Sequence, residues 1–159
     1  MIIRPAHATD AAPLAALWNP WIETTAITFS TALKTPEGLA TDIAARGDAF
    51  LVAEADGALL GFATFFPFRG GPGYARTKEH TVILAPEARG RGAGRALMNA
   101  LEKVARSQQV HSLFAGVSAE NPAGVAFHAA IGFTETARLP QVGYKFGRWM
   151  DLVLMQKFL

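Results

Sequence analysis

Hydrophobic residues alternate along the chain between two spacings, one typical of strands and one typical of helices. Short apolar runs rich in β-branched and aromatic residues predict strands over residues 1–5, 50–55, 59–66, 77–84, 112–117, 133–137 and 149–158. Apolar residues three and four positions apart predict helices, and the longest such pattern follows Arg95 and contains Leu97, Ala100, Leu101, Val104 and Ala105. Helical patterns also follow Asp10, Thr35 and Asn121. The resulting order, β-α-α-β-β-β-α-β-α-β-β, predicts a mixed α/β sheet of about seven strands flanked by about four helices.

Turn-forming residues predict where several of these elements begin and end. Thr35 and Asn121 each precede a proline, the order preferred for an N-cap residue and the first residue of a helix. Asp56-Gly57, between two strand patterns, predicts a tight β-hairpin. Pro20 predicts an interruption of the first helix, because proline has no N–H to donate. The segment 138–148 is predicted to be a loop that is too long for a tight hairpin.

The composition fits one globular domain that spans residues 1–159. Half of the residues are hydrophobic and 18% are charged, which provides enough apolar surface for a core. The formal net charge is only +2 and the basic residues are scattered, so we expect no nucleic-acid partner. We also expect no membrane partner, because no apolar stretch is long enough to span a bilayer and the N-terminus lacks the apolar core of a signal peptide. The chain has no cysteine, which excludes a thiolate nucleophile and is compatible with a cytoplasmic enzyme.

A glycine-rich turn, Arg89-Gly90-Arg91-Gly92-Ala93-Gly94, separates the strand at 77–84 from the longest predicted helix. Glycine lets a ligand approach the backbone closely, and the first N–H groups of a helix have no intrahelical partner. Together with the helix dipole and the nearby arginines, the turn predicts an anion site suited to phosphate. The residues that define a P-loop are absent, and Arg95 stands where a dinucleotide fingerprint has its third glycine. A basic surface turn that only caps the helix is the alternative.

The pattern Arg89-x-x-Gly92-x-Gly94 resembles the pyrophosphate-binding turn of the GNAT superfamily of N-acetyltransferases, and the element order resembles the GNAT fold over essentially the whole chain. The resemblance implies a sheet that splays apart beside the turn, and acetyl-CoA as co-substrate. It places the pantetheine arm on the exposed edge of the fourth strand, at Thr81, Val82 and Ile83. The other residues that it implies in coenzyme binding are Arg89, Gly90, Arg91, Gly92, Ala93, Gly94, Arg95 and Asn121.

Five local features resemble one branch of this superfamily, the phosphinothricin and methionine-sulfoximine acetyltransferases. They are Trp18-Asn19, Thr28-Phe29, Glu79 in its strand, the segment 127–133 and the segment 143–151. The resemblance implies transfer of an acetyl group to the amino group of phosphinothricin, methionine sulfoximine or methionine sulfone. It also implies a homodimer that binds a small-molecule amine.

The same resemblance assigns candidate roles to individual side chains. Glu79 is the candidate general base for the attacking amine, and His128, four residues before Gly132, is the candidate acid or base near the leaving thiolate. A surface carboxylate and a helical histidine without a chemical role are the alternatives for these two residues. The candidates for binding the acceptor are Phe29, Arg69, Arg76, Lys78, Tyr144 and Lys145. Spacing assigns no role to the other histidines, and no metal site is expected.

Direct transfer in a ternary complex of acetyl-CoA and amine is expected, because no cysteine can carry the acetyl group. Two other functions fit the same glycine-rich turn. One is a protein or peptide N-acetyltransferase, and the other is a sensor that binds acyl-CoA without catalysis. The residues that contact the acceptor distinguish the small-molecule acetyltransferase from the peptide acetyltransferase. Turnover of any amine would exclude the sensor.

Overall fold

The computed structural model describes residues 1–159 as one seven-stranded sheet with four α-helices. The strands are β1 (Ile2–Pro5), β2 (Phe50–Ala55), β3 (Ala58–Pro67), β4 (Thr77–Leu84), β5 (Ser112–Ser118), β6 (Thr134–Lys145) and β7 (Arg148–Phe158). The helices are α1 (Ala11–Thr24), α2 (Pro36–Arg46), α3 (Ala93–Ser107) and α4 (Pro122–Ala130). None of these helices has both the length and the apolar character needed to cross a lipid bilayer. The predicted order of elements is confirmed.

The sheet opens into a fork between β4 and β5, the only parallel neighbours in the strand order β1-β2-β3-β4-β5-β7-β6. These two strands pair from Thr77 opposite Ser112 to His80 opposite Ala115. Beyond this point β4 stays paired with β3, and β5 stays paired with β7, so the two strands separate. From Thr81 onward, one edge of β4 therefore has no backbone partner.

Two hydrophobic clusters cover the two faces of the sheet. One contains the buried side of α3, and the other contains the buried sides of α1 and α2. Successive side chains of a strand point to opposite faces. Because Ile83 of β4 belongs to the cluster under α1 and α2, Glu79 lies on that same face. His80 lies on the opposite face, where it contacts α4.

Three predicted boundaries are confirmed. Thr35 caps α2 by accepting a hydrogen bond at Oγ1 from Gly38 N (3.1 Å), and Asn121 caps α4 by accepting one at Oδ1 from Gly124 N (3.0 Å). The Asp56-Gly57 turn has φ angles of 52° and 76°, the backbone expected for a tight hairpin. These features depend on neighbouring residues only, which is why the sequence predicts them well.

The predicted loop at 138–148 is wrong. β6 continues to Lys145, and only Phe146-Gly147 forms the turn into β7, with φ angles of 54° and 72°. Most of β6 is exposed, so it lacks the alternation of apolar residues that identifies the other strands. A shift in its pairing with β7 between Leu139 and Gly143 also breaks the periodicity.

The predicted interruption at Pro20 is also wrong, because α1 continues through this residue to Thr24. Pro20 lies on the exposed side of the helix, as does Ala16, whose carbonyl loses its hydrogen-bond partner. The buried side continues unbroken on both sides of the proline, through Leu14, Trp18 and Ile22. Packing of this side against the sheet offsets the loss of one hydrogen bond.

Candidate active site

The fork between β4 and β5 opens into a cleft that contains two adjoining cavities. The first, of about 340 Å³, contains the side chain of Glu79 and is called the Glu79 cavity here. The second, of about 330 Å³, is lined by Arg89, Gly90 and Gly94 and is called the glycine-turn cavity. Residues common to both cavities mark where they meet, and these are Ile27, Val82, Ile83, Asn121 and His128. A ligand that enters at the glycine-rich turn can therefore extend to Glu79.

The backbone of the glycine-rich turn has the geometry of an anion cradle. Gly90 and Gly92 have φ angles of 74° and 78°, and the space beside both Cα atoms, where a side chain would project, is open. The amides of Ala93, Gly94 and Arg95, in the first turn of α3, donate to no backbone carbonyl. They carry the positive end of the helix dipole, which attracts phosphate.

Three arginines add positive charge to this turn. Arg89, Arg91 and Arg95 are all exposed around the N-terminus of α3. The guanidinium of Arg89 lies 4.8 Å from the centre of the Trp21 ring on α1, a cation–π contact that limits its mobility. The arginines and the free amides lie at one end of the cleft, so a phosphate-containing ligand would be anchored there.

The open edge of β4 connects the turn to the Glu79 cavity. Residues 81–84 hydrogen-bond to β3 on one side and have no strand on the other. Thr81, Val82 and Ile83 line the Glu79 cavity along this edge. An extended ligand with amide groups can add to such an edge as an extra strand.

Glu79 is the only charged side chain that lines its cavity. It forms no salt bridge, and burial raises the pKa of its carboxyl above the ordinary value. Gly116 of β5 faces it across the fork, and a Cβ atom at Gly116 would lie 2.8 Å from Glu79 Oε1. The glycine therefore provides the space that the carboxylate occupies. A carboxylate with a raised pKa in a cavity is suited to accept a proton.

We expect Gly116→Ala to displace the Glu79 carboxylate, because the new methyl group would occupy its position. A catalytic group misplaced by about 1 Å lowers rates by roughly 100-fold, so we expect kcat to fall about 10- to 100-fold. The KM for the coenzyme should change little, since Gly116 is remote from the glycine-rich turn. Steady-state kinetics measures both, and Gly73→Ala is the control because its Cβ would meet open space. An unchanged kcat would show that the position of Glu79 is unimportant.

His128 and His80 form a buried pair beneath the cleft. Their Nε2 atoms are 2.9 Å apart, and His128 Nδ1 lies 2.7 Å from the carbonyl oxygen of Gly124. The ring of Phe133 packs against both imidazoles, with centroids 5.3 Å away in each case. Burial lowers the pKa of His128 and lowers that of His80 to about 3, so both rings are uncharged near neutral pH.

The loop between α1 and α2 forms one wall of the Glu79 cavity through Ile27, Thr28 and Phe29. Two polar side chains fix this loop. Lys145, which is 3% exposed, donates from Nζ to the carbonyls of Thr25 (2.7 Å) and Thr28 (2.9 Å). The side chain of Asn19 bonds both the N–H and the carbonyl of Lys34, at 2.8 and 3.0 Å. Lys145 therefore points into the loop and not into the cavity.

Four other predicted acceptor-binding residues also lie outside both cavities. Arg69 is exposed over the ring of Tyr74, and exposed Arg76 donates to Gln109 at 3.5 Å. Lys78 precedes Glu79 on β4 and so points to the other face of the sheet. Tyr144 is 57% exposed and packs against Trp149. The structure thus brings together Phe29, Glu79, His128, the edge of β4 and the turn, and it separates these four side chains from them.

Sequence reasoning missed two residues of the site, because it assigned no role to His80 or Gly116. Trp18 is 9% exposed and packs against Phe62, with ring centroids 4.6 Å apart, but it also lines the Glu79 cavity. Only the period-two alternation in β4 hints that His80 faces away from Glu79. No group of three or more His, Cys, Asp or Glu side chains is placed to hold a metal ion.

Comparison with known proteins agrees with this geometry. The model of the acetyltransferase (GNAT) family matches residues 16–133, which include the glycine-rich turn, β4, β5 and α4. The chain belongs to the GNAT family of acetyltransferases. The prediction made from Arg89-x-x-Gly92-x-Gly94 is therefore confirmed for both fold and enzyme class.

Individual relatives support the same branch of the GNAT family that the local features indicate. An L-methionine sulfoximine/L-methionine sulfone acetyltransferase from Salmonella typhimurium is 38% identical, with the match covering 98% of this chain and 93% of that protein. A phosphinothricin N-acetyltransferase from Streptomyces coelicolor is 34% identical over 98% of this chain and 94% of that protein. Both matches extend over nearly the whole length of each protein.

Two solved GNAT structures superpose on the whole chain. The structure of yncA from Salmonella typhimurium, with its cofactor acetyl-CoA, has a TM-score of 0.95 at 36% identity and covers 100% of this chain and 94% of that chain. A ribosomal-protein-alanine N-acetyltransferase from Brucella melitensis has a TM-score of 0.94 at 41% identity and covers 100% of both chains. The methionine sulfoximine acetyltransferase and the ribosomal-protein-alanine N-acetyltransferase are named for different classes of acceptor, so similarity alone does not identify the acceptor.

Proposed function

We propose that the protein is a cytoplasmic, acetyl-CoA-dependent N-acetyltransferase that acts on the amino group of a small amino-acid-like acceptor. Acceptors of the phosphinothricin, methionine sulfoximine and methionine sulfone type are the first candidates, as the names of two relatives suggest. The observation that carries the proposal is the continuous cleft, which joins an anion cradle to a carboxylate with a raised pKa.

The residues of the cleft fit acetyl-CoA in their charge and in their free hydrogen-bonding groups. The diphosphate would bind the free amides and arginines of residues 89–95. The pantetheine amides would pair with the open edge of β4 at Thr81, Val82 and Ile83, beside the Asn121 side chain. This arrangement would direct the acetyl group toward the junction of the two cavities and into the cavity that contains Glu79.

Glu79 would act as the general base. An amine is protonated near neutral pH and attacks a thioester only after losing a proton, which the carboxylate accepts directly or through water. The amine nitrogen then forms a bond to the acetyl carbon, the carbon–sulfur bond breaks, and the departing sulfur takes up a proton. No cysteine is available for an acetyl-enzyme, which supports direct transfer in a ternary complex.

The hypothesis that His128 protonates the sulfur has one requirement. His128 lines both cavities where they meet, so its ring is near the expected position of the thioester. Both of its nitrogens, however, are hydrogen-bonded inside the protein, one to His80 and one to Gly124. Donation from Nε2 requires this nitrogen to carry a proton and its hydrogen bond with His80 to break.

A peptide N-terminus is the second candidate acceptor. No lysine or arginine lines the Glu79 cavity, so no cation there is placed to bind the free carboxylate of an amino acid. A peptide has no such carboxylate beside its α-amine, and one similar structure is named as a ribosomal-protein-alanine N-acetyltransferase. For the small acceptor, Arg69 or Arg76 would have to bind the carboxylate from outside the cavity.

A thiol-release assay with acetyl-CoA tests the proposal. The acceptors are phosphinothricin, methionine sulfoximine, methionine sulfone, the carboxamide of each, and short peptides that begin with alanine. We expect the free acids to give the highest kcat/KM, with the carboxamides lower because they lack the carboxylate. Turnover of peptides alone favours the second candidate. Coenzyme binding without turnover of any amine would indicate a sensor and would contradict the proposal.

The proposal includes a homodimer, and the end of the β6–β7 hairpin is the surface that supports it. Val142, Tyr144, Phe146 and Trp149 are each more than half exposed there, and the rings of Tyr144 and Trp149 have centroids 5.0 Å apart. An apolar cluster of this kind on a protein surface is typical of an interface. The area that a stable dimer buries is about 800 Å² from each partner, which a long hairpin can provide.

We expect Trp149→Glu to convert the dimer into a monomer, because a charge at the centre of an apolar interface cannot be solvated. Light scattering after size-exclusion chromatography measures the mass. Phe158→Glu is the matched control, since Phe158 is 65% exposed but lies at the opposite end of β7. A wild-type protein that is monomeric at all concentrations would rule out the dimer.

A further inference from the structure

The two buried histidines have contacts that determine which nitrogen carries each proton. His128 Nδ1 must be protonated, because the carbonyl oxygen of Gly124, at 2.7 Å, can only accept a hydrogen bond. His128 Nε2 and His80 Nε2, 2.9 Å apart, must share one proton. Since burial keeps both rings uncharged near neutral pH, His128 already holds its one proton on Nδ1. The shared proton therefore belongs to His80, which donates to His128.

This hydrogen bond lies where the fork begins. His80 is the last residue of β4 that pairs with β5. His128 lies in the last turn of α4, whose first residues, together with Asn121, line the glycine-turn cavity. The bond thus joins the strand that carries Glu79 and the open edge to the helix on the other side of the cleft.

His80 also contains a buried polar atom that packing alone does not explain. Its Nδ1 is buried and makes no hydrogen bond of ordinary geometry, which is unfavourable, and the nearby backbone of Phe114 raises the pKa of the ring less than burial lowers it. An apolar side chain at this position would pack against Phe133 without leaving such an atom unpaired. The hydrogen bond donated to His128 accounts for a histidine in this place.

We propose that His80 is a positioning residue for the reaction, which holds His128 in the Nδ1–H tautomer and fixes α4 to β4 at the start of the fork. The inference rests on the proposed function, since the reaction that it serves is acetyl transfer. It also changes the role of His128. With Nδ1 bound to Gly124 and Nε2 accepting from His80, His128 has no proton directed at the cleft. The pair sets the distance between α4 and β4, the strand that carries both Glu79 and the open edge, and the departing sulfur takes its proton from water.

The tautomers can be tested on the free protein, without coenzyme or acceptor, so that failure here is separate from failure of the proposed function. Long-range nitrogen–proton correlation spectra near neutral pH distinguish the two protonated nitrogens of each ring. We expect the Nδ1–H form for His128 and the Nε2–H form for His80. An Nε2–H form of His128, or an average of both tautomers, would overturn the proposal.

The role in the reaction is tested with His80→Gln and His80→Leu. Glutamine can donate one hydrogen bond from its amide but cannot transfer a proton, whereas leucine can do neither. We expect His80→Leu to lower kcat/KM for acetyl-CoA at least about tenfold, because one buried hydrogen bond is lost. We expect His80→Gln to have a kcat/KM within about threefold of wild type, because its amide can replace this bond.

Two kinetic outcomes contradict the positioning role. Equal losses in both variants would show that a hydrogen-bond donor at this position is not sufficient, and wild-type kinetics in His80→Leu would show that the bond is not needed. Urea unfolding of each variant checks the fold. If His80→Leu does not fold, His80→Gln alone decides, because near-wild-type turnover with a side chain that cannot titrate supports positioning and a large loss overturns it.

Discussion

Replacing Glu79 with glutamine is expected to lower kcat/KM by about 10²–10⁴-fold, the usual contribution of a general base. Glutamine has nearly the same size as glutamate and fits the space left by Gly116, but its amide does not accept a proton from an ammonium group. The dissociation constant for acetyl-CoA should not change, because Glu79 lies away from the anion cradle. Single-turnover kinetics measures the chemical step, and calorimetry measures the affinity for the coenzyme.

The pH dependence follows from the raised pKa of Glu79. The wild-type rate should fall as the pH decreases through this pKa, which lies above the ordinary glutamate value, because the base must be ionised. The residual rate of Glu79→Gln should lack this step. Glu37→Gln serves as the control, since Glu37 is exposed at the start of α2. If Glu79→Gln keeps both the rate and the step, another group is the base.

Glu79→Gln also has a predictable effect on the stability of the fold. A carboxyl group whose pKa is raised by folding contributes most to stability below its unfolded pKa, and this contribution is lost as the pH rises through the folded pKa. At neutral pH the ionised Glu79 is therefore unfavourable in the fold. We expect Glu79→Gln to be at least as stable as wild type at neutral pH in urea unfolding. A loss of activity together with gained stability would identify Glu79 as a residue kept for function.

The sequence predicts those parts of the fold and site that depend on adjacent residues. Gly90 and Gly92 adopt the backbone conformations that glycine favours, and the N-caps at Thr35 and Asn121 form with residues three positions away. The anion cradle is such a local feature, because strand, turn and helix follow one another directly. The family could thus be predicted from a stretch of six residues and its flanks.

The other parts of the site depend on which strands become neighbours, and the sequence does not contain this information in a readable form. Gly116 provides space for Glu79 only because β5 lies beside β4, and His80 reaches His128 because α4 covers that face. The residue type is also an incomplete guide. A lysine is chemically suited to bind a substrate carboxylate, but Lys145, at the end of β6, points into the α1–α2 loop.

Gly92→Val is expected to raise the dissociation constant for acetyl-CoA about 10- to 100-fold, because one or more charge-assisted hydrogen bonds to phosphate are lost. Gly92 has a φ of 78° at the N-cap of α3, and a β-branched residue strongly disfavours this conformation. The backbone will relax, which turns the free amides of Ala93 and Gly94 away from the phosphate position. Calorimetric titration with acetyl-CoA measures the effect.

Gly47→Val separates this loss from general backbone strain. Gly47 caps the C-terminus of α2 with a φ of 53°, and the space beside its Cα is as open as that beside Gly92. Both substitutions should destabilise the fold, since both force a valine to adopt a positive φ. Only Gly92→Val should weaken coenzyme binding, because no phosphate site adjoins Gly47. Equal coenzyme affinities in the two variants would show that the first turn of α3 does not hold the diphosphate.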